Sequence, residues 1–191
     1  MKKLIAFIAI SVFVFGCGDS ESSSTIQSNT SIENQENSYN RLNKNVYQSD
    51  SLGIKFNYPE NWNVAEGTFI GILNVESPKS SETDFQEIVS IVVGGTSDKG
   101  LDEFFDDNLA FIQGMFVDLD QTEEPQNIVI NNTTFKKVRY NYLADGFPLT
   151  AQLFVTIKEG NSYIINCSAL QNTFDTYAEE FTSIVNSLEL K

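Results

Sequence analysis

Residues 149–169 read LTAQLFVTIKEGNSYIINCSA. Leu149, Ala151, Leu153, Val155 and Ile157 take every second place, the repeat of a strand that buries one face. Gly160-Asn161 predicts a tight turn, and Tyr163, Ile165, Cys167 and Ala169 resume the alternation on the way back. Two runs joined by so short a link pair in opposite directions. An antiparallel sheet is therefore expected.

The same sheet grows outward from this hairpin. Upstream, Ile128–Ile130 and Thr134–Tyr142 flank Asn131-Asn132, residues that tolerate the positive φ of a hairpin turn. Glu87–Val93 (EIVSIVV) is apolar on both phases, as in a central strand covered on both faces. Further strands are expected at Thr68–Val75 and at Leu52–Tyr58, where Ile54, Phe56 and Tyr58 alternate with Lys55 and Asn57. Pro59–Asn61 turns the chain, and Trp62 and Val64 begin again. Two stretches change the period to that of a helix. Leu101, Phe104, Phe105, Leu109, Ile112, Met115 and Phe116 form one apolar stripe, and Phe174, Tyr177, Phe181, Ile184, Val185 and Leu188 form another. Asp102, Glu103, Asp106 and Asp107 open the first helix where carboxylates complement its dipole. The fold class is α+β, with one helix in mid-chain and one at the end.

Ahead of this domain the chain changes character. Lys2 and Lys3 precede an apolar run, Leu4–Phe15, of about twelve residues, where a bilayer-crossing helix needs roughly 20. Residues 1–16 thus read as a cleaved export signal. Val14-Phe15-Gly16-Cys17 resembles the lipobox of bacterial lipoproteins, which implies acylation of Cys17 and a lipid bilayer as its first partner. Residues 17–45, rich in Ser, Asn, Gln and Glu, cannot bury enough surface to offset their ordering entropy and read as a tether. As a Ser-rich linker it would reach roughly 30 Å. Asp19 and Glu21 resemble the acidic signal that sends some lipoproteins to the cell surface. The expected location is the cell envelope, at the outer membrane or cell surface in preference to the inner membrane. The globular domain is expected over 46–191.

Composition excludes some functions. The 191 residues carry a formal charge of −14, so a nucleic acid, whose binding rests on Lys and Arg against phosphates, is not an expected partner. The chain contains no histidine, which removes the commonest general base and imidazole ligand. Of two cysteines, acylation would take Cys17 and leave Cys167 without a disulfide partner.

The order of elements, taken with two motifs, resembles the PsbP-like domains. Gly53-Ile-Lys-Phe-Asn-Tyr-Pro-Glu-Asn-Trp62 is similar to their opening, where a strand ends in Tyr-Pro and a Trp follows. Tyr163-Ile-Ile-Asn-Cys-Ser-Ala169, then Phe174, Tyr177, Phe181 and Ile184-Val-Asn-Ser-Leu188, is similar to their close. The resemblance covers nearly the whole domain. It implies an α/β/α sandwich, a central antiparallel sheet with helices on both faces, as in the wider group that includes a nuclear Ran-binding protein. Photosynthetic members dock on photosystem II and help retain its calcium and chloride. This chain has no histidine to match any metal-binding histidine of theirs; the resemblance implies a non-catalytic domain and nothing finer, and no cofactor is expected.

Several residues are candidate sites. Gly94-Gly-Thr-Ser-Asp-Lys-Gly100 lies between a strand and a helix, as a phosphate loop does. Lys99 precedes Gly100, however, with no Ser or Thr after a Gly-Lys pair, so a turn with a helix cap is expected. Asp118, Asp120, Thr122, Glu123 and Glu124 are candidate oxygen ligands for Ca²⁺. Their spacing departs from an EF-hand at Glu123, where Gly is needed, and at Val129, where Glu is needed. Tyr58 and Trp62 could stack on a partner or seal the core edge. Cys167 has the phase of a packed residue and no base beside it. No Gly-x-Ser-x-Gly elbow is present.

The expected function is a lipid-anchored, non-enzymatic envelope protein binding a protein partner or a small ligand. The alternatives are a Ca²⁺-responsive domain and a carboxylate-dependent hydrolase of envelope polymers.

Overall fold

In the computed structural model the described residues are 44–67, 72–79, 85–96, 98–116 and 118–191. The export signal, Cys17 and the tether up to residue 43 lie outside them. Chain order is β1 (Lys44–Ser49), β2 (Ile54–Pro59), β3 (Asn63–Glu66), β4 (Ile72–Glu76), β5 (Ile88–Gly95) and helix α1 (Leu101–Met115). Then follow β6 (Asp120–Gln121), β7 (Gln126–Ile130), β8 (Thr133–Ala144), β9 (Phe147–Lys158) and β10 (Asn161–Leu170). A 3-10 turn (Phe174–Tyr177) runs into α2 (Ala178–Asn186), and β11 (Glu189–Leu190) closes the order.

The hairpin β9–β10 sits inside an antiparallel sheet of order β3-β4-β5-β10-β9-β8-β6, with β7 also paired to β8. Its turn lies at Glu159-Gly160, with φ of 52° and 81°, one residue earlier than Gly160-Asn161. The register explains this: Lys158 faces Asn161, so the two residues between them must take the left-handed conformation. Asn131 and Asn132 do so where expected, at 46° and 62°.

The two apolar runs of the hairpin point to opposite faces, because Ile165 stands across from Phe154 and not from Leu153 or Val155. Each face then has its own cover. On the side of Leu153 lies α1, which buries Phe105, Leu109 and Ile112. Lys136, which shares that face, holds its ammonium 5.1 Å from the Phe105 ring centre and 2.7 Å from Asp102. On the side of Ile165 lies α2, whose Phe181, Ile184 and Val185 join Val75, Val89, Ile91, Ile165 and Cys167 in one core. This is the expected sandwich of helices on both faces of an antiparallel sheet. β5 departs from expectation: Val89 and Ile91 are buried, whereas Ile88, Ser90 and Val92 are only half-buried. The reason is that α1 lies mainly over β8 and β9.

A second sheet, β1-β2-β11, completes the α2 side. β2 contributes Ile54 and Phe56 to the core, and Tyr47 of β1 stacks on Phe56 at 5.2 Å. β1 begins at Lys44, ahead of Val46; its sequence KNVYQS is too polar to announce a strand. The Tyr163 hydroxyl ties this sheet to the larger one, donating to the Lys191 carbonyl (3.0 Å) with the Gly53 carbonyl also in reach (3.3 Å). Gly53 has φ 61°, and a Cβ there would lie 3.0 Å from that hydroxyl, so glycine is required on both counts.

Candidate functional site

Strand β8 runs Arg139-Tyr140-Asn141-Tyr142, and its alternation sends the pairs to opposite faces. Tyr140 and Tyr142 go under α1 and are buried. The Tyr140 hydroxyl donates to Asn166 Oδ1 (2.9 Å), Asn166 Nδ2 donates to Ser168 Oγ (3.0 Å), and Ser168 shares a bond with the Tyr142 hydroxyl (3.2 Å). Burial pushes both phenols above their ordinary range.

Arg139 and Asn141 go to the α2 face, at the end where the helical cover stops with the 3-10 turn. There a cleft of about 350 Å³ opens, lined by Thr122, Glu123, Arg139, Asn141, Thr150 and Gln171. The register puts Asp120, Asn141, Thr150 and Ala169 in one row across four strands. Along that row the face turns from apolar under the helix to polar in the open. Arg139 lies over the Phe174 ring, 4.5 Å from its centre, and donates from Nη2 to Asp175 at 3.0 Å. Thr150, itself buried, donates to Asn141 Oδ1 at 2.8 Å. The Arg139 carbonyl accepts from the backbone N–H of Thr122 (3.0 Å) and of Glu123 (3.3 Å), which straps the acidic segment to β8.

The arrangement can bind polar groups of either charge. Among the lining residues only Glu123 is a carboxylate, whereas glycoside hydrolysis uses a facing pair. Cys167 is wholly buried in the core, and burial pushes its thiol well above the ordinary range, so it is inert packing.

The sequence candidates take other places. Trp62 is buried, edge-on to Tyr177 (6.2 Å) and Phe181 (6.1 Å), so it seals the core and has no face for a partner. Tyr58 is half-buried and tilted against Phe56 at 6.2 Å. Asp118, Asp120, Glu123 and Glu124 do not converge: among the described residues no three acids gather to hold a metal. Asp120 belongs to an edge strand, and Glu123 lies 3.6 Å from Lys137. In the glycine-rich loop Lys99 turns onto the helix, pairing with Glu103 (3.2 Å) and Asp107. Gly100 leads α1 with no side-chain cap, and residue 97 lies outside the described residues.

Arg139, Asn141, Thr150 and Gln171 escaped the sequence reading. For Arg139, Asn141 and Thr150 the signal is polar residues on one phase of strands whose other phase is apolar; Gln171, in the turn after β10, carries none.

Comparison with known proteins places this architecture. A family profile described as PsbP-like protein matches residues 2–190. The chain belongs to this family. No curated protein matches it significantly in sequence. Among solved structures, PsbP-like relatives and more distant folds superpose on it. Cyanobacterial PsbP (CyanoP) from Synechocystis is 16% identical with a TM-score of 0.58, covering 83% of this chain and 98% of its own. LpqN of Mycobacterium tuberculosis, described as involved in cell envelope biogenesis, is 13% identical with a TM-score of 0.59, covering 80% and 92%. The Saccharomyces cerevisiae Ran-binding protein Mog1p is 11% identical with a TM-score of 0.55, covering 78% and 96%. At such identities these likenesses establish the PsbP-like fold and nothing of the ligand.

Proposed function

We propose that this PsbP-like protein is a lipid-anchored, non-catalytic binding module of the cell envelope that holds a protein partner or a small ligand in the Arg139 cleft. The observation that carries the reading is the cleft itself. It offers charges of both signs and hydrogen-bonding side chains, while the chain's one thiol in the domain is sealed in the core. The lipobox-like Val14–Cys17 and the envelope role of the superposable LpqN support the location. Acyl chains on Cys17 would supply the attachment, at about 0.8 kcal/mol per buried methylene, because an acidic chain gains nothing from anionic headgroups. Residues 17–43 would hold the domain off the bilayer, at the outer membrane or cell surface.

The test is the full-length Cys17→Ala variant expressed in a bacterial host that acylates lipoproteins. The native chain is expected in the membrane pellet and the variant in the soluble fraction. Equal pelleting of the two would sink the anchor.

A further inference from the structure

The charges around the cleft are arranged in a way that selects a ligand class, and the inference from them rests on the cleft being a binding site. At its centre stands Arg139, planar and held flat by Phe174, with a single ion pair to Asp175. A guanidinium carries five N–H donors, and Asp175 engages it through Nη2 alone. Asp175 is 84% exposed, so a competing carboxylate can replace it without disturbing the core. Glu123 lines the same cleft, and Asp120 flanks Asn141 on the same face. The Glu123 carboxylate is only loosely engaged, 3.6 Å from Lys137.

This mixture discriminates. A plain anion would meet Arg139 but also three carboxylates, on a chain whose net charge is −14. A plain cation would meet Arg139 and Lys137. A ligand carrying both signs satisfies both sides, its carboxylate on the guanidinium and its ammonium toward Glu123. Asn141, whose Oδ1 is held by Thr150, keeps its Nδ2 for a ligand, and Gln171 lies along the same wall; both are amides suited to an amide partner. A volume of about 350 Å³ suits an amino acid or a dipeptide.

We propose that the cleft binds a zwitterionic amino acid or short peptide, carboxylate on Arg139 and ammonium at Glu123. The test is calorimetric titration of the full-length acylated protein in detergent with three probes: dialanine, N-acetyl-dialanine and dialanine amide. Dialanine is expected to bind, and each single-charge probe to bind about tenfold or more weakly, since each loses one charge-assisted contact. Arg139→Gln should weaken dialanine binding about tenfold or more, with the melting temperature lowered only slightly. Asp175→Asn, which removes the competing carboxylate, should tighten binding severalfold, a gain that a merely structural Arg139 would not produce. No heat from dialanine, or equal binding of all three probes, would overturn the ligand class and leave the anchored-module reading standing. Hydrolysis of dialanine would instead overturn the non-catalytic reading and leave the site.

Discussion

Residues 139–142 present two polar surfaces from one strand, and they differ in what is left over. Beneath α1, the buried Tyr140 and Tyr142 close a chain of hydrogen bonds with the half-buried Asn166 and the buried Ser168. On the opposite face, Arg139 and Asn141 face an open cleft with a neighbouring acid that is almost fully solvated. The first surface spends its polar groups on itself and specifies packing; the second keeps valence for something else. A site on this sheet is therefore recognised by unspent bonding capacity and not by polarity alone.

The largest test of that contrast falls on the closed surface. Tyr140→Ala should cost about 3–5 kcal/mol, because it removes a ring only 1% exposed and strands the Asn166 carbonyl oxygen. Chemical denaturation would read this as a lowered midpoint, and a loss near zero would mean the network is not what holds the α1 face.

The second test uses pH. Tyr140 and Tyr142 have phenols held above their ordinary value of 10 by burial. The unfolded chain then loses these protons first, so the stability they confer is full below pH 10 and falls as pH rises beyond it. Melting temperatures should decline above about pH 10, with the tyrosinate absorbance of Tyr140 and Tyr142, read as the difference from their Phe variants, rising only as the protein unfolds. Free titration of Tyr140 and Tyr142 in the folded state would contradict the closed network.

The smallest effect belongs to the open surface. Arg139→Gln should cost about 1 kcal/mol, since its ion pair is solvated and its stacking on Phe174 adds only about 0.5–1 kcal/mol. A loss as large as that of Tyr140→Ala would erase the distinction.

Much of the scaffold is legible in the sequence, and the reason is periodicity. The alternation of Leu149–Ile157 and of Tyr163–Ala169, the Asn131-Asn132 turn and both helical stripes depend on neighbours a few residues apart. The cleft depends on sheet order. Asn141 and Thr150 meet across β8 and β9, Thr122 arrives from the edge, and Gln171 from the far end of β10. No local window contains that juxtaposition. Trp62 shows the converse: its sequence context allows both display and sealing of the core edge, and Tyr177 and Phe181, over a hundred residues away, decide for the core. The acids of 118–124 likewise read as a cluster until β6 is seen drawn out along β8.

The small sheet has a mechanical consequence. The chain enters the described fold through β1, an edge strand paired only with β2, while the eight-stranded sheet is reached only later. A pull transmitted from residue 43 would load the β1–β2 bonds first, and the Tyr163 clamp on Gly53 and Lys191 stands behind them. Under such a pull the first six-residue ribbon would yield as a fuse while the cleft kept its shape.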